Sequence, residues 1–151
     1  MKQRTGIFVG SFDPFTVGHD SIVRRALPLF DRLVIGVVGD NVQKPYMRPA
    51  EERMQAIREL YRHEPAIEVM AYHGLAVDFA RSVGARFIVK GVRSVKDFEY
   101  EREQADINRQ IAGIETVLLY SEPQYSSVSS TLVRELQHFG VDVSEFLPKQ
   151  K

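Results

Sequence analysis

The stretch from Gly10 to His19, Gly-Ser-Phe-Asp-Pro-Phe-Thr-Val-Gly-His, holds the residues of this chain that are best suited to chemistry. It follows the apolar run 5–9 and precedes a helical pattern that begins near His19. A strand, a glycine-containing turn and a helix start together form an anion site, because unpaired N–H groups at a helix start point toward a phosphate. Ser11 and Thr16 can donate hydroxyl hydrogen bonds, and His19, on the first turn, can donate from a ring nitrogen to a phosphoryl oxygen.

A plainer interpretation of the same residues stays open. Ser11 and Asp13 would then form a turn, and His19 would only cap the helix. The stretch is not the dinucleotide fingerprint, which needs glycines at closer spacing, and it is not a Walker loop, which needs Gly-Lys-Ser/Thr.

Composition narrows the class of protein. The chain has 151 residues, 44% hydrophobic and 26% charged, which is typical of one soluble globular domain. Its 20 basic and 20 acidic residues cancel, which argues against a nucleic-acid partner, since such proteins carry a basic surface. The chain has no cysteine, which excludes disulfides and thiol chemistry. Because no apolar run is as long as a transmembrane helix or resembles a signal peptide, we expect a cytoplasmic protein with no membrane partner.

Short β-rich runs alternate with segments of helical spacing. Strands are expected over 6–9, 33–38, 67–72, 87–89 and 116–120. Helices are expected over 22–27, 54–61, 75–83 and 96–111, and from Ser129 or Ser130 to near Gly140. This alternation predicts an α/β fold, a Rossmann-like doubly wound five-stranded parallel sheet in a single domain over 1–151, with 148–151 as a mobile tail.

In such sheets ligands bind outside the carboxyl ends of the strands, where the strand order reverses. Candidate residues follow each strand in turn: Ser11, Lys44, Leu75, Lys90 to Arg93, and Tyr125 to Thr131. The sequence therefore predicts that these residues converge on one rim of the sheet.

Two cations flank a glycine in Lys90-Gly91-Val92-Arg93, after the fourth strand. Charge on both sides and close backbone approach between them suit a phosphate ester or a triphosphate. A solvated basic turn is the alternative, since most lysines and arginines are exposed. The acids of 97–101, at the start of the fourth helix, are favourable through the helix dipole alone.

Hydroxyl groups and free N–H groups make a second candidate anion cradle over 125–131, although simple N-capping by Ser129 would also explain these residues. Leu75 and Ala76, after the third strand, could line a site, but periodicity alone favours the core. Lys44 could approach a phosphate or be a solvated loop lysine.

The residues 10–19 match the Thr/Ser-Phe-Asp-Pro-x-Thr-x-Gly-His signature of small adenylyltransferases, which transfer a nucleotidyl group to a phosphate. From about residue 3 to about residue 148 the chain resembles the bacterial phosphopantetheine adenylyltransferases, which act at the penultimate step of coenzyme A synthesis. The run 90–93 is similar to that family's Arg-Gly-x-Arg, and 128–134 to its Ile-Ser-Ser-Thr/Ser-x-Val-Arg. Gln43-Lys44 stands where the family usually has Lys-Lys.

The resemblance implies a role for each candidate. His19 would stabilise the transition state, with Lys44 as a second catalytic candidate. ATP would be bound by Ser11, Phe12, Thr16, His19, Gly91, Val92, Arg93, Glu101, Tyr125, Ser126, Ser127, Val128, Ser129, Ser130 and Thr131. The acceptor substrate would be bound by Ser11, Gln43, Lys44, Leu75, Ala76 and Lys90.

Two residues depart from the family pattern. Lys90 keeps the charge of the family's arginine but loses its bidentate fork. Gln43 can donate a hydrogen bond but cannot neutralise charge.

The implied reaction is an in-line transfer in which the 4′-phosphate of phosphopantetheine attacks the α-phosphorus of ATP, giving dephospho-CoA and pyrophosphate. Such a transfer needs position and charge stabilisation rather than a covalent intermediate, which agrees with a sequence that lacks a nucleophile elbow or zinc-spaced ligands. Magnesium is expected on the ATP phosphates, held mainly by ATP and water, with no protein metal site. The resemblance also implies a homohexamer and feedback inhibition by CoA.

Two other functions remain open at this point. A nucleotidyltransferase with the same signature could use another phosphate acceptor, such as nicotinamide mononucleotide, or a cytidylyl donor. Gln43 and Lys90 would also suit a nucleotide-binding regulator with weakened catalysis. Pyrophosphate release from ATP, magnesium and phosphopantetheine discriminates among them.

Overall fold

The structure is a computed structural model that describes residues 3–40 and 47–149. Its strands are β1 (Thr5–Gly10), β2 (Arg32–Val38), β3 (Ile67–Tyr72), β4 (Phe87–Val92) and β5 (Glu115–Tyr120). Its α-helices are α1 (Val17–Ala26), α2 (Ala50–Leu60), α3 (Ala76–Ser82), α4 (Val95–Ala112) and α5 (Ser130–His138), with short 3₁₀ helices at Leu27–Leu29, Pro123–Tyr125 and Ser144–Phe146. Each strand and helix expected from the sequence is present. Within the described ranges, no helix is long and apolar enough to cross a membrane.

All five strands are parallel, in the order β3-β2-β1-β4-β5. The order reverses between β1 and β4, which confirms the doubly wound α/β fold and places the expected ligand crevice between these two strands. β1 and β4 pair only at Gly6 with Phe87 and Ile7 with Ile88. Beyond these positions the two strands diverge, so a cleft opens toward their carboxyl ends.

Helices cover both faces of the sheet because successive strand residues point to opposite sides. Phe8 packs on one face with Ile22 of α1 and Ile57 of α2. Its neighbour Ile7 packs on the other face with Val77 of α3. The central strand is therefore buried on both sides, as its continuous apolar sequence predicts.

Two expected boundaries were wrong. β4 continues to Val92, because it pairs with β5 as far as Val92 and Tyr120, so Lys90, Gly91 and Val92 lie in the strand and do not follow it. α1 begins at Val17, two residues before His19. The expected start of the fifth helix is confirmed: a 3₁₀ turn ends at Tyr125, and α5 begins at Ser130 with Ser129 as its N-cap.

Gly36, in the centre of β2, lies where a side chain has no room. A Cβ atom there would lie 2.5 Å from Phe79 Cε2 and 2.9 Å from Val9 Cγ1. Gly36→Ala is therefore expected to lower the free energy of unfolding by about 1–3 kcal/mol, measured by urea denaturation. Gly18→Ala is the control, because a Cβ atom there meets nothing closer than 3.5 Å. Equal stability of the two variants would contradict this packing.

Candidate active site

The cleft between β1 and β4 contains a cavity of about 330 Å³. Its walls come from the carboxyl ends of these two strands, the turn after β1, the first two turns of α1, the second turn of α4 and the segment between β5 and α5, including the first residue of α5. Candidate residues that follow the first, fourth and fifth strands of the expected sheet thus face one space. In particular, His19 shares the cavity with Lys90 and Tyr125.

His19 is fixed by the start of its own helix. Thr16 is the N-cap of α1, and His19 occupies the third helical position, where a capping box usually has Glu or Gln. The Thr16 backbone N–H donates to His19 Nδ1 at 2.9 Å, and the Thr16 hydroxyl accepts from the His19 backbone N–H at 3.5 Å. Because Nδ1 accepts a hydrogen bond, the proton of a neutral ring must lie on Nε2. The plainer interpretation, that His19 caps the helix, is confirmed, and the cap also sets its tautomer.

The surroundings of the His19 ring keep it neutral. Phe12 and Phe15 contact the ring, with centroids 5.0 and 5.2 Å away. Burial, reinforced by the positive charge of Arg93, lowers the pKa of His19 to about 4. At neutral pH the ring is therefore a neutral hydrogen-bond donor through Nε2, and it does not act as a cation.

The turn after β1 is held in place through its carbonyl oxygens. Arg53 Nη1 donates to the Ser11 carbonyl at 2.9 Å, and Arg134 Nη1 donates to the Asp13 carbonyl at 2.6 Å. Ser130 Oγ donates to the Pro14 carbonyl at 2.7 Å. Side chains of α2 and α5 thus donate hydrogen bonds to three of the four residues from Ser11 to Pro14. These hydrogen bonds fix the backbone that lines the cavity.

The amino terminus of α5 forms another part of the wall. Ser129 is its N-cap, and the Ser129 hydroxyl accepts from the Leu132 N–H at 3.1 Å. N-capping by Ser129 is therefore confirmed. Val128, Ser129 and Ser130 also line the cavity, so the positive end of the α5 dipole lies beside the first turn of α1.

Lys90 and Glu101, which both line the cavity, form an ion pair, with Lys90 Nζ 3.4 Å from Glu101 Oε2. Glu101 is largely buried, and its Oε2 atom has no hydrogen-bond partner in the described part of the chain. The same two residues also line a neighbouring cavity of about 240 Å³, together with Leu75 and Ala76. The pair is thus a shared wall between two compartments.

Comparison with known proteins identifies the family. Residues 7–136 match the family model described as cytidylyltransferase-like. A phosphopantetheine adenylyltransferase from Bacteroides fragilis is 54% identical over 147 residues, which are 97% of this chain and 97% of that protein. The chain belongs to the phosphopantetheine adenylyltransferases. Another, from Porphyromonas gingivalis, is 50% identical over 149 residues, 99% of this chain and 97% of that protein.

A solved structure of much lower sequence identity shares the fold of this phosphopantetheine adenylyltransferase. It is a bifunctional NMN adenylyltransferase/ADP ribose pyrophosphatase from Francisella tularensis, 15% identical, with a TM-score of 0.71. The alignment covers 99% of this chain and 46% of that chain.

Most of the predicted site residues of this phosphopantetheine adenylyltransferase family member line the main cavity, namely Ser11, Phe12, Thr16, His19, Lys90, Gly91, Arg93, Glu101, Tyr125, Val128, Ser129 and Ser130. Val92 is buried, and Ser126, Ser127 and Thr131 are not among the lining residues. Leu75 is 59% exposed and so is not a core residue; periodicity favoured the core because Leu75 precedes a helix with an apolar face. Gln43 and Lys44 lie outside the described residues.

Several residues were missed by sequence reasoning about this family member. Gly18 and Ser121 line the cavity, and Ile22 of α1 reaches it as well. A Cβ atom on Gly91 would lie 3.1 Å from Ile22 Cδ1, which explains a glycine inside a strand. The Gly-His dipeptide was a signal for Gly18. No local pattern marks Arg53, because its partners come from distant segments.

Proposed function

We propose that this chain transfers the adenylyl group of ATP to 4′-phosphopantetheine, giving dephospho-CoA and pyrophosphate. The observation that carries the proposal is the meeting of a neutral imidazole, an ammonium group and two helix starts at one cavity. Each of these groups stabilises negative charge on phosphate oxygens. The similarity to named phosphopantetheine adenylyltransferases supports the choice of acceptor.

The phosphates of ATP lie, in this proposal, between the turn after β1 and the start of α5. Ser11, Ser129 and Ser130 supply hydroxyl groups and helix-start N–H groups, and Arg93 supplies charge. His19 donates from Nε2 to an α-phosphoryl oxygen as charge develops in the transition state. Glu101 accepts from a ribose hydroxyl or from a metal-bound water.

The acceptor phosphate lies beside Lys90, which faces both cavities. The pantetheine arm then occupies the second cavity, against Leu75 and Ala76. An oxygen of the acceptor phosphate attacks the α-phosphorus, the bond to the bridging oxygen breaks, and pyrophosphate leaves with that oxygen. Lys44 stays a candidate for a second cation on the acceptor phosphate.

Magnesium is proposed as the cofactor. Among the described lining residues Glu101 alone carries a carboxylate, and it already pairs with Lys90. This donor set fits an ion bound chiefly by ATP phosphates and water, which is how magnesium usually accompanies ATP. Bound magnesium supplies charge neutralisation on the phosphates.

Assembly, regulation and location follow the family. The helix α4 has no buried residue and exposes Val95, Tyr100, Ile107 and Ile111. Such an apolar helix surface favours burial against other copies, and we propose a homohexamer, with six chain masses expected by light scattering. CoA, which carries both the adenylyl and the phosphopantetheine moieties, would inhibit by occupying the same two cavities. The cytoplasm is the proposed location.

Pyrophosphate release on mixing the protein with ATP, magnesium and 4′-phosphopantetheine tests the proposal. Parallel reactions replace the acceptor with nicotinamide mononucleotide or replace ATP with CTP. Release only with ATP and phosphopantetheine is expected. Release with another acceptor would favour a related transferase, and ATP binding without release would favour a regulator.

Removing the ammonium group of Lys90 is expected to weaken binding of the acceptor phosphate. Lys90→Ala should raise the dissociation constant of 4′-phosphopantetheine by about 10- to 100-fold, because the variant loses a charge-assisted contact. The dissociation constant of pantetheine without its phosphate should change little. Isothermal titration calorimetry measures both.

Arg86→Ala is the matched control for Lys90→Ala. Arg86 carries the same charge but precedes β4, at the opposite end of that strand. Equal weakening of phosphopantetheine and pantetheine by Lys90→Ala, or equal weakening by both variants, would contradict the assigned role.

A further inference from the structure

Arg53 of α2 is a fully buried cation, with 0% of its surface exposed. It is not a lining residue of the cavity. A buried guanidinium is costly unless its N–H groups find acceptors. The position of those acceptors therefore indicates what the residue does.

The acceptors of Arg53 are main-chain carbonyl oxygens from three separate segments. Nη1 donates to Ser11 at 2.9 Å and to Val38 at 2.7 Å, and Nε donates to Arg48 at 2.7 Å. Nη2 lies 3.7 Å from Asp40 Oδ1 and has no hydrogen-bond partner in the residues that the structure describes. One side chain thus ties the turn after β1 to the end of β2 and to the segment before α2.

The bond to Ser11 also fixes the direction of the next N–H group. In a trans peptide the C=O and the following N–H point in opposite directions. Since the Ser11 carbonyl points to Arg53, the Phe12 N–H points away from Arg53. Ser11 and Phe12 both line the cavity and Arg53 does not, which favours a Phe12 N–H that faces the cavity.

The backbone of Phe12 needs such support. Its φ angle is +50°, in the left-handed region that residues with a side chain rarely adopt. This conformation costs about 1–3 kcal/mol and persists only where the surroundings fix it. The aromatic contact of Phe12 with Phe8, with centroids 5.3 Å apart, supplies one restraint, and Arg53 supplies the other through the Ser11 carbonyl.

We infer that Arg53 is a positioning residue that holds the Ser11–Phe12 peptide with its N–H toward a phosphate of bound ATP. The inference rests on the proposed function for the identity of the ligand. In this inference Arg53 reaches bound ATP through the turn and contacts no substrate. It should therefore control ATP binding and leave acceptor binding nearly unchanged.

Arg53→Lys is the main test. A single ammonium cannot span three carbonyl groups that a planar fork reaches. We expect the dissociation constant of ATP and the KM for ATP to rise about tenfold or more, with less than a threefold change in the KM for 4′-phosphopantetheine. Ile57→Val, one turn along α2 and fully buried, is the control for a general loss of stability. It should lower the urea midpoint without affecting ATP.

Unchanged ATP binding in Arg53→Lys would overturn the inference, and so would equal weakening of both substrates in step with stability. The wild-type protein gives a second test that does not depend on a variant. Crystal structures with and without ATP should both show the Ser11 carbonyl on Arg53, with the Phe12 N–H on a phosphate oxygen in the complex. A turned peptide, or a phosphate bound without this N–H, would overturn it. ATP affinity is measured without acceptor, so failure of the transfer reaction alone would affect only the proposed function.

Discussion

His19→Asn is expected to lower kcat for pyrophosphate release by about a hundredfold or more, with less than a threefold change in the dissociation constant of ATP. The Asn Oδ1 atom can occupy the place of Nδ1 and accept from the Thr16 N–H, so the helix cap is kept. Nothing replaces Nε2. The variant thus removes one donor to the transition state, a loss that typically costs two to three powers of ten in rate.

The companion variants separate catalysis from folding. His19→Ala loses both the cap and the donor, so it should show the same fall in kcat together with lower stability. His63→Ala removes an exposed histidine after α2 and should leave both quantities unchanged. Steady-state rates at saturating ATP and acceptor measure kcat. Turnover of His19→Asn at the wild-type rate would refute the assigned role.

Acid is expected to destabilise the wild-type protein through the same residue. Burial and the charge of Arg93 lower the pKa of His19 to about 4 from 6.5. Between these values the unfolded chain binds a proton that the folded chain does not, so stability falls as the pH falls through this window. The difference corresponds to roughly 3 kcal/mol at most, at about 1.4 kcal/mol per pH unit. Well above pH 6.5 the ring is neutral in both the folded and the unfolded chain, so His19 no longer lowers the free energy of unfolding.

Comparison with His19→Asn isolates this effect. The pKa of Glu68, lowered mainly by its hydrogen bond from Arg32, also makes stability depend on acid, but that group is common to both proteins. Urea denaturation at intervals from pH 7 to pH 4 should show a steeper fall for the wild type than for the variant. Parallel curves would contradict a buried neutral imidazole.

The part of the site predicted from the sequence is the part encoded locally. Gly10 to His19 form a strand end, a turn and a helix start within one stretch, so residue types and spacing were sufficient. Ser129 was predicted as a cap for the same reason. The meeting of the candidate residues at one edge of the sheet was predicted because the carboxyl ends of parallel strands lie side by side, whatever residues the loops contain.

The rest depends on contacts between distant segments. The strand expected over 87–89 continues to Val92 because β5 pairs with it that far. Ile22 occupies the space that Gly91 leaves. Arg53 looks like an ordinary charged residue of an exposed helix, and only the folded chain shows its three carbonyl partners. The ion pair between Lys90 and Glu101 likewise joins residues of two different elements, β4 and α4.

The wall that Lys90 and Glu101 share has a practical consequence for inhibitor design. A compound that occupies only one of the two cavities contacts the Lys90–Glu101 ion pair from one side only. A longer compound that crosses from the main cavity into the second one would offer the lysine an anionic group and the carboxylate a donor at the same time. It would compensate both charges with a single molecule.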